Sequence, residues 1–255
     1  MSATLLEGER LDEVNDRLSL IQKTDGLTFG TDALLLAAFI RKKGNTAIEL
    51  GGGSGIISLL LAARERFSLI RSAEIQPEYA ELIRRNAALN GLEDKLVSVC
   101  ADVRDHAALG PLGSFDAVFS NPPYMTTGCG YACAEDAKNI ARHEVAGGIS
   151  DFAKCAASSL KYGGTFCVVF RPDRLCDLIS ALRENKLEPK RMTLVHADTK
   201  SESSMVLIEA KLGGKCGMMM TPPLIVYRDN AHTEYTDDMN YIMENGSFPE
   251  KFKRR

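Results

Sequence analysis

The sequence predicts an α/β fold with a doubly wound, mostly parallel sheet. Five short apolar segments of strand composition alternate with segments of helical periodicity. Parallel strands need long crossover connections, which helices usually supply, so the alternation indicates a parallel sheet covered by helices. Two further strand-like segments near the C-terminus are separated only by a short polar stretch, and strands joined in this way must pair antiparallel.

The individual elements follow from apolar periodicity and from Gly, Pro and Asn stop signals. An N-terminal hairpin is predicted from strands at 17–22 and 26–29, with Asp25-Gly26 as its turn. Parallel strands are predicted at 46–50, 68–75, 96–101, 115–120 and 165–170, the last after a turn at Gly163-Gly164, and the antiparallel pair at 191–196 and 205–210. Helices are predicted at 33–41, 56–66, 78–89, 151–160 and 172–185.

The 255 residues provide enough chain for one large hydrophobic core. We expect an N-terminal hairpin and helix extension over residues 1–42, a core over 43–212, and a C-terminal extension with a basic tail over 213–255. Segment 125–149 is rich in Gly, Ala and Cys and shows little periodicity, and a connection of this length is usually functional or disordered.

Composition excludes several protein classes. The longest apolar run, 33–40, is too short to span a bilayer, and an acidic start argues against a signal peptide. Seven cysteines, an odd number without paired spacing, favour reduced thiols, so we expect a cytoplasmic protein. The closest pair, Cys129 and Cys133, has no second pair or histidine in register, which argues against a zinc site.

A glycine-rich turn, ELGGGSG at 49–55, follows the first parallel strand and precedes a helix. Glycines let a ligand lie against the backbone at a helix N-terminus. The dinucleotide fingerprint G-x-G-x-x-G would require glycine where the chain has Ile56, so a pyrophosphate-binding loop fits poorly. The pattern present is E-x-G-x-G-x-G.

Acidic residues end the next two strands. Glu74 lies roughly twenty residues beyond the glycines, where an acidic side chain can hold both ribose hydroxyls of a nucleoside. Asp102, after the third strand, can accept from an adenine amino group. Glu74 can equally be a surface carboxylate before a helix, and Asp102 a helix cap.

The segment Asn121-Pro122-Pro123-Tyr124 follows the fourth strand and has the features of a catalytic loop. An exocyclic amine of adenine or cytosine is a poor nucleophile because its lone pair is delocalised into the ring. The Asn121 side-chain carbonyl and the Pro122 backbone carbonyl can accept its two N–H bonds and favour tetrahedral nitrogen. Tyr124 offers a flat face to an unstacked base. A Pro-Pro turn closing a strand is the simpler interpretation.

Other candidates flank these motifs. Thr31 and Asp32 begin the first helix, where either can be a cap. His143 can position a phosphate or a base, although it also suits an exposed helix turn. The net charge of −3 argues against indiscriminate nucleic-acid binding, so phosphate contacts need local basic patches. The basic C-terminus, with Lys190 and Arg191, can supply such contacts or be a solvated tail.

Together these motifs resemble those of the class I S-adenosylmethionine-dependent methyltransferases, which have a Rossmann-like fold with a seven-stranded sheet. The flanking stretches at 27–36, at 141–144 and at Tyr235-Thr236 are similar to those of the bacterial tRNA adenine-N6 methyltransferases. These enzymes modify the adenine next to the anticodon of a valine tRNA. The resemblance extends from about residue 11 to residue 255.

The resemblance implies S-adenosylmethionine as cofactor and tRNA as substrate, with direct in-line methyl transfer, no metal, and a monomer or weak homodimer. The implied catalytic residues are Asn121, Pro122, Pro123 and Tyr124. The implied cofactor-binding residues are Thr31, Asp32, Glu49, Gly51, Gly53, Gly55, Glu74, Ile75, Asp102, Val103 and Asn121. The implied substrate-binding residues are Tyr124, Arg142, His143, Lys251, Lys253, Arg254 and Arg255.

Two other functions remain open from the residues. A protein glutamine methyltransferase would hold a planar side-chain amide with the same Asn-Pro-Pro-Tyr loop. A non-catalytic RNA-binding relative would keep the fold, but the intact Asn121, Pro122 and Glu74 speak against it.

Overall fold

A computed structural model describes residues 4–25, 29–123 and 147–253, in which a nine-stranded sheet and a separate hairpin are surrounded by helices. The strands are β1 (Glu9–Asn15), β2 (Leu18–Lys23), β3 (Gly44–Leu50), β4 (Phe67–Glu74), β5 (Leu96–Cys100), β6 (Phe115–Ser120), β7 (Leu160–Phe170), β8 (Leu187–His196), β9 (Ser203–Leu212), β10 (Met219–Met220) and β11 (Leu224–Ile225). The helices are α1 (Thr31–Phe39), α2 (Ile56–Ala63), α3 (Pro77–Leu89), α4 (His106–Leu109), α5 (Ile149–Ser159), α6 (Leu175–Glu184) and α7 (Asp237–Asn245).

The sheet has the strand order β10-β8-β9-β7-β6-β3-β4-β5, and β11 also pairs with β8. Strands β3 to β7 pair parallel with one another, whereas β9 lies antiparallel between β7 and β8. The predicted α/β sheet, with seven strands and a C-terminal antiparallel pair, is therefore confirmed as β3 to β9.

Strands β10 and β11 were not predicted. Each has two residues and pairs parallel with β8, so the antiparallel pair does not form the edge of the sheet as expected. A two-residue strand is too short to produce a detectable period-2 pattern, which explains the difference.

Helices cover both faces of the large sheet, so the side chains on both faces of its central strands are buried. Successive side chains of a strand point to opposite faces. In β3, Ala47 packs into one large core cluster and Ile48 into the other, and both side chains are fully buried. This double burial explains why the central strands show apolar runs instead of alternation.

The N-terminal hairpin differs from the prediction. The predicted strand at 17–22 exists as β2, but its partner is β1 upstream, and the turn lies at Asn15 to Arg17, whose N–H donates to the Asn15 side chain at 2.9 Å. Residues 26–28 lie outside the described residues. Strand β1 is largely exposed and charged, which obscured its strand pattern.

The C-terminal extension folds back onto the core. Phe248 and Phe252 are buried and contact each other edge-to-face at 5.3 Å between ring centroids. Phe248 also contacts Phe39 at the end of α1, at 5.7 Å. Among the described residues, no helix combines the length and hydrophobicity needed to cross a membrane.

Candidate functional site

The carboxyl ends of four parallel strands bring the predicted residues to one edge of the sheet. Strands β3, β4, β5 and β6 run in the same direction. The glycine turn follows β3, Ile75 follows β4, Asp102 lies just after β5, and Asn121 follows β6. Ligands of open α/β sheets bind at this edge.

The glycine turn connects β3 to α2 in backbone conformations that residues with a side chain adopt only at an energetic cost. Gly51, Gly53 and Gly55 have positive φ angles of 75°, 53° and 83°. A Cβ at Gly53 would have no atom of the described residues within 4 Å, so within this part of the chain the backbone there faces open space. The turn therefore leaves room for a ligand against its backbone next to the N-terminus of α2.

Glu74 fixes the shape of this turn. Its Oε2 accepts the Gly53 N–H at 2.9 Å, and its Oε1 accepts the Gln76 N–H at 3.0 Å. The residue is only 6% exposed. The interpretation of Glu74 as a surface carboxylate is therefore wrong, and its position beside the turn fits a nucleoside-binding role.

Glu49, at the start of the glycine-rich motif, is buried. It is 1% exposed and accepts hydrogen bonds from the hydroxyls of Ser58 and Ser72, the latter at 2.8 Å. Its Oε1 is buried without a hydrogen-bond partner among the described residues. Burial raises the pKa of Glu49 to about 7, although the two serine hydroxyls act in the opposite direction. The carboxylate of Glu49 thus connects the end of β3 to Ser58 in α2 and Ser72 in β4. That Glu49 lines the cofactor site stays a prediction.

Asp102 forms an ion pair with Arg104. Its carboxylate accepts from the Arg104 backbone N–H at 2.8 Å and from the guanidinium, and these hydrogen bonds lower the pKa of Asp102. The cap of the short helix α4 is Asp105, so the alternative role of Asp102 as helix cap is wrong. Val103 is buried beside it and Ile75 is half-buried.

Asn121, the first residue of the proposed catalytic loop, contacts the N-terminal extension. Its side-chain amide nitrogen donates to Asp32 Oδ2 at 2.7 Å, across 89 positions of sequence. Pro122 is buried and Pro123 is half-buried. Gly30 is the N-cap residue of α1 and has no side chain that could accept from the first turn. Asp32 Oδ1 accepts the Ala33 N–H of that turn at 2.9 Å. Helix α1 therefore brings Thr31 and Asp32 to the same edge as Asn121.

A cleft that sequence reasoning missed opens beside Asp32. Its volume is about 320 Å³, and its lining residues are Thr31, Asp32, Phe170, Arg171, Ser204 and Met205. Phe170 ends β7 and Ser204 is near the start of β9, so both lie at the carboxyl edge. The position of Phe170 at a strand end was the available signal, but its apolar side chain suggested only a core residue.

Several predicted substrate-binding residues cannot be placed. Tyr124, Arg142, His143, Arg254 and Arg255 lie outside the described residues, as do residues 125–146, the cysteine-containing part of segment 125–149.

The lysines in the described part of the basic tail pair with nearby carboxylates. Lys251 pairs with Asp238 at 2.6 Å, and Lys253 pairs with Glu250 at 3.0 Å. The carbonyl of Lys253 accepts from Arg41, which lies between α1 and the first residue of β3.

Arg191 does not take part in the predicted phosphate contacts. Arg191 is 1% exposed, lies 3.6 Å from the Phe39 ring centroid and pairs with Glu209 at 2.9 Å. A buried, paired guanidinium cannot reach a phosphate, so this prediction is wrong. Lys190 donates to the carbonyls of Lys215 and Gly217.

Within the described ranges, no group of three or more His, Cys, Asp or Glu side chains is arranged to hold a metal ion. The glycine turn offers room for a cofactor. Open space above Gly53, the carboxylate of Glu74 beside it and the N-terminus of α2 fit the nucleoside and amino-acid parts of S-adenosylmethionine.

Comparison with known proteins gives both curated relatives and structural neighbours. A tRNA1(Val) (adenine(37)-N6)-methyltransferase of Porphyromonas gingivalis is 28% identical over 76% of this chain and 78% of its own. Its counterpart in Yersinia enterocolitica is 32% identical over 56% and 57%.

The solved structures share the fold. A predicted O-methyltransferase from Agrobacterium tumefaciens superposes with a TM-score of 0.70 at 22% identity, covering 86% of this chain and 98% of its own. TYW2 of M. jannaschii, solved in complex with AdoMet, has a TM-score of 0.55 at 15% identity and covers 82% and 87%. These similarities confirm the class I methyltransferase fold.

The methyltransferase small domain family matches residues 23–185, from the last residue of β2 to the end of α6, and the match includes the glycine turn, Glu74, Asp102 and the Asn-Pro-Pro-Tyr segment. The chain belongs to the methyltransferase small domain family.

Proposed function

We propose that this protein transfers a methyl group from S-adenosylmethionine to the exocyclic N6 amine of an adenine in tRNA, with the anticodon-loop adenine of a valine tRNA as the favoured target. The observation that carries this proposal is the position of Asn121 and Pro122. They follow β6 at the same edge as the glycine turn after β3, and β3 and β6 are paired neighbours. The names of the curated relatives support adenine in tRNA.

The glycine turn and Glu74 supply the cofactor half of the site. When bound, S-adenosylmethionine supplies an electrophilic methyl group. The Glu74 carboxylate, 2.9 Å from the Gly53 nitrogen, is placed to accept from ribose hydroxyls beside the turn. Charge-assisted hydrogen bonds of this kind are about twice as strong as neutral ones.

Asn121 and Pro122 supply the substrate half. Two carbonyl acceptors aimed at the N–H bonds of an aromatic amine stabilise its pyramidal form more than its planar form, which is selective stabilisation of the transition state. Pro122 is buried and has no N–H that could compete for these acceptors. The Asn121 backbone is held extended because a proline follows. The methylated ammonium is acidic and loses its proton to water, so the site needs no strong general base.

The proposal is tested by incubating the protein with bulk tRNA and isotopically labelled S-adenosylmethionine, then digesting the tRNA to nucleosides for mass spectrometry. We expect label in N6-methyladenosine alone. Label in another nucleoside would contradict the choice of amine. Label in an added glutamine-containing peptide, and not in tRNA, would instead support glutamine methylation. We expect a monomer or weak homodimer in sedimentation measurements, cytoplasmic location, and no metal requirement after chelation.

A further inference from the structure

A side-chain pair, Asp32 and Asn121, joins the first turn of helix α1 to the residue that follows strand β6. The Asn121 amide nitrogen lies 2.7 Å from Asp32 Oδ2. Asp32 itself is anchored, because its Oδ1 accepts the Ala33 N–H at 2.9 Å within the first turn of α1. The positive end of the helix dipole also favours a carboxylate at this position.

The chemistry of this pair determines which end of the Asn121 amide faces the ligand site. A carboxylate oxygen can only accept a hydrogen bond, so the NH2 end of the amide must face Asp32. The opposite orientation would place two acceptors 2.7 Å apart. Because the amide is planar, the carbonyl oxygen of Asn121 then points away from Asp32. Without such a partner, rotation about the last side-chain bond would present either the oxygen or the nitrogen to a substrate.

Gly30 lies next to the Asp32 carboxylate. A Cβ at this position would lie 2.8 Å from Asp32 Oδ1, so a larger residue would force the carboxylate to move. The backbone of Gly30 is extended, with φ −112° and ψ −175°, and any residue can adopt it. The absence of a side chain at Gly30 therefore provides space for the Asp32 carboxylate and is not needed for the backbone conformation.

We propose that Asp32 is a positioning residue, which orients the Asn121 amide so that its carbonyl oxygen, and not its nitrogen, is presented to the target amine. This inference rests on the proposed amine methylation. It gives Asp32 a role different from the cofactor contact implied by the resemblance. A target amine has only N–H groups to offer at this point, so a reversed amide would place donor against donor.

The first test is a double-mutant cycle in single-turnover methylation of tRNA. Asp32→Ala and the nearly isosteric Asp32→Asn should each lower the rate about 10- to 100-fold, the effect of losing one hydrogen bond to a charged group. In the Asn121→Ala background, Asp32→Ala should cause no further loss, because the residue that it orients is gone. Gly30→Ala should reproduce part of the Asp32→Asn effect. Asp177→Asn, an exposed aspartate of α6 paired with Arg174, is the control and should retain the wild-type rate.

The second test is independent of activity. In the ligand-free protein, the side-chain amide protons of Asn121, identified by their loss in Asn121→Ala, should shift in Asp32→Ala spectra. The dissociation constant of S-adenosylmethionine should change less than about threefold in Asp32→Asn, a free-energy change below that of one hydrogen bond.

Three outcomes would overturn the positioning role: additive rate losses in the cycle, unchanged amide resonances, or a loss of cofactor affinity as large as the loss of rate. Absence of methylation by the wild-type protein would overturn the proposed function instead. The amide spectra would then still decide whether Asp32 orients Asn121.

Discussion

The Glu74 carboxylate accepts the backbone N–H of Gly53 at 2.9 Å, and this hydrogen bond connects the end of β4 to the glycine turn after β3. The contact joins two features that are separate in the sequence. It places a charged acceptor against the backbone of the turn, within the region where the cofactor is proposed to bind.

We therefore expect Glu74→Ala to weaken binding of S-adenosylmethionine about ten- to a hundredfold, because one charge-assisted contact and the support of the turn are lost together. Isothermal titration measures the change. Glu78→Ala, which removes a nearby exposed glutamate in the first turn of α3, is the matched control. Equal affinities for Glu74→Ala and wild type would remove Glu74 from the cofactor site.

For Asn121 the expected effect is on chemistry and not on RNA affinity. Asn121→Ala should lower the single-turnover rate by about 10²–10³, in line with the loss of other preorganised polar groups, while tRNA binding changes little. Asn240→Ala, an exposed asparagine of α7, serves as control. A wild-type rate in Asn121→Ala would refute the proposed role of this amide.

The raised pKa of Glu49 predicts that the free energy of unfolding depends on pH. Its pKa in the folded chain is raised from the ordinary value of 4.5 to about 7, so the folded state holds the proton more tightly than the unfolded chain does. The associated stability is fully present below about pH 4.5 and is lost as the pH rises through about 7. Glu49→Gln should remove this dependence, which is worth up to about 3 kcal/mol. Denaturant unfolding between pH 4.5 and 8 measures it, and parallel curves for variant and wild type would contradict the account.

The basic tail can be tested only by substitution, since Phe252 is buried and a deletion from Lys251 onwards would remove part of the core. If Lys251 and Lys253 contact phosphates, replacing both with Gln should reduce the slope of log affinity against log salt by about 0.7–0.9 per contact. The affinity for tRNA, measured at several salt concentrations, gives this slope. Lys95→Gln is the control for a surface lysine already paired with Glu65. Unchanged slopes would show that the two lysines serve only their pairs with Asp238 and Glu250.

The sequence predicted the parts of the fold that depend on local pattern. The glycine turn, Glu74 and Asn121 each follow an apolar run, and the common direction of parallel strands brings such strand ends together. Gly163-Gly164 was expected to be a turn, but it lies within β7, at an irregularity where the register against β6 shifts between Phe115 and Ala117. Glycine in a strand often indicates such a bulge, so the residue type alone did not separate the two interpretations.

Contacts between segments that are far apart in the sequence could not be predicted from local sequence patterns. Arg191 looked like a basic surface residue, and only the folded chain shows it buried between Phe39 and Glu209. The pairing of Asp32 with Asn121 likewise joins segments 89 positions apart, so no local pattern could predict it.

We propose that this site methylates the N6 amine of one tRNA adenine. It is tested most directly on a synthetic anticodon stem-loop of valine tRNA, with labelled S-adenosylmethionine and wild-type protein, followed by mass-spectrometric mapping of the label. In a second stem-loop, purine, which lacks the exocyclic amine, replaces the adenine next to the anticodon. We predict one label per molecule on that adenine, and none on the purine stem-loop. Equal labelling of both stem-loops, or labelling only of a protein glutamine, would contradict the account.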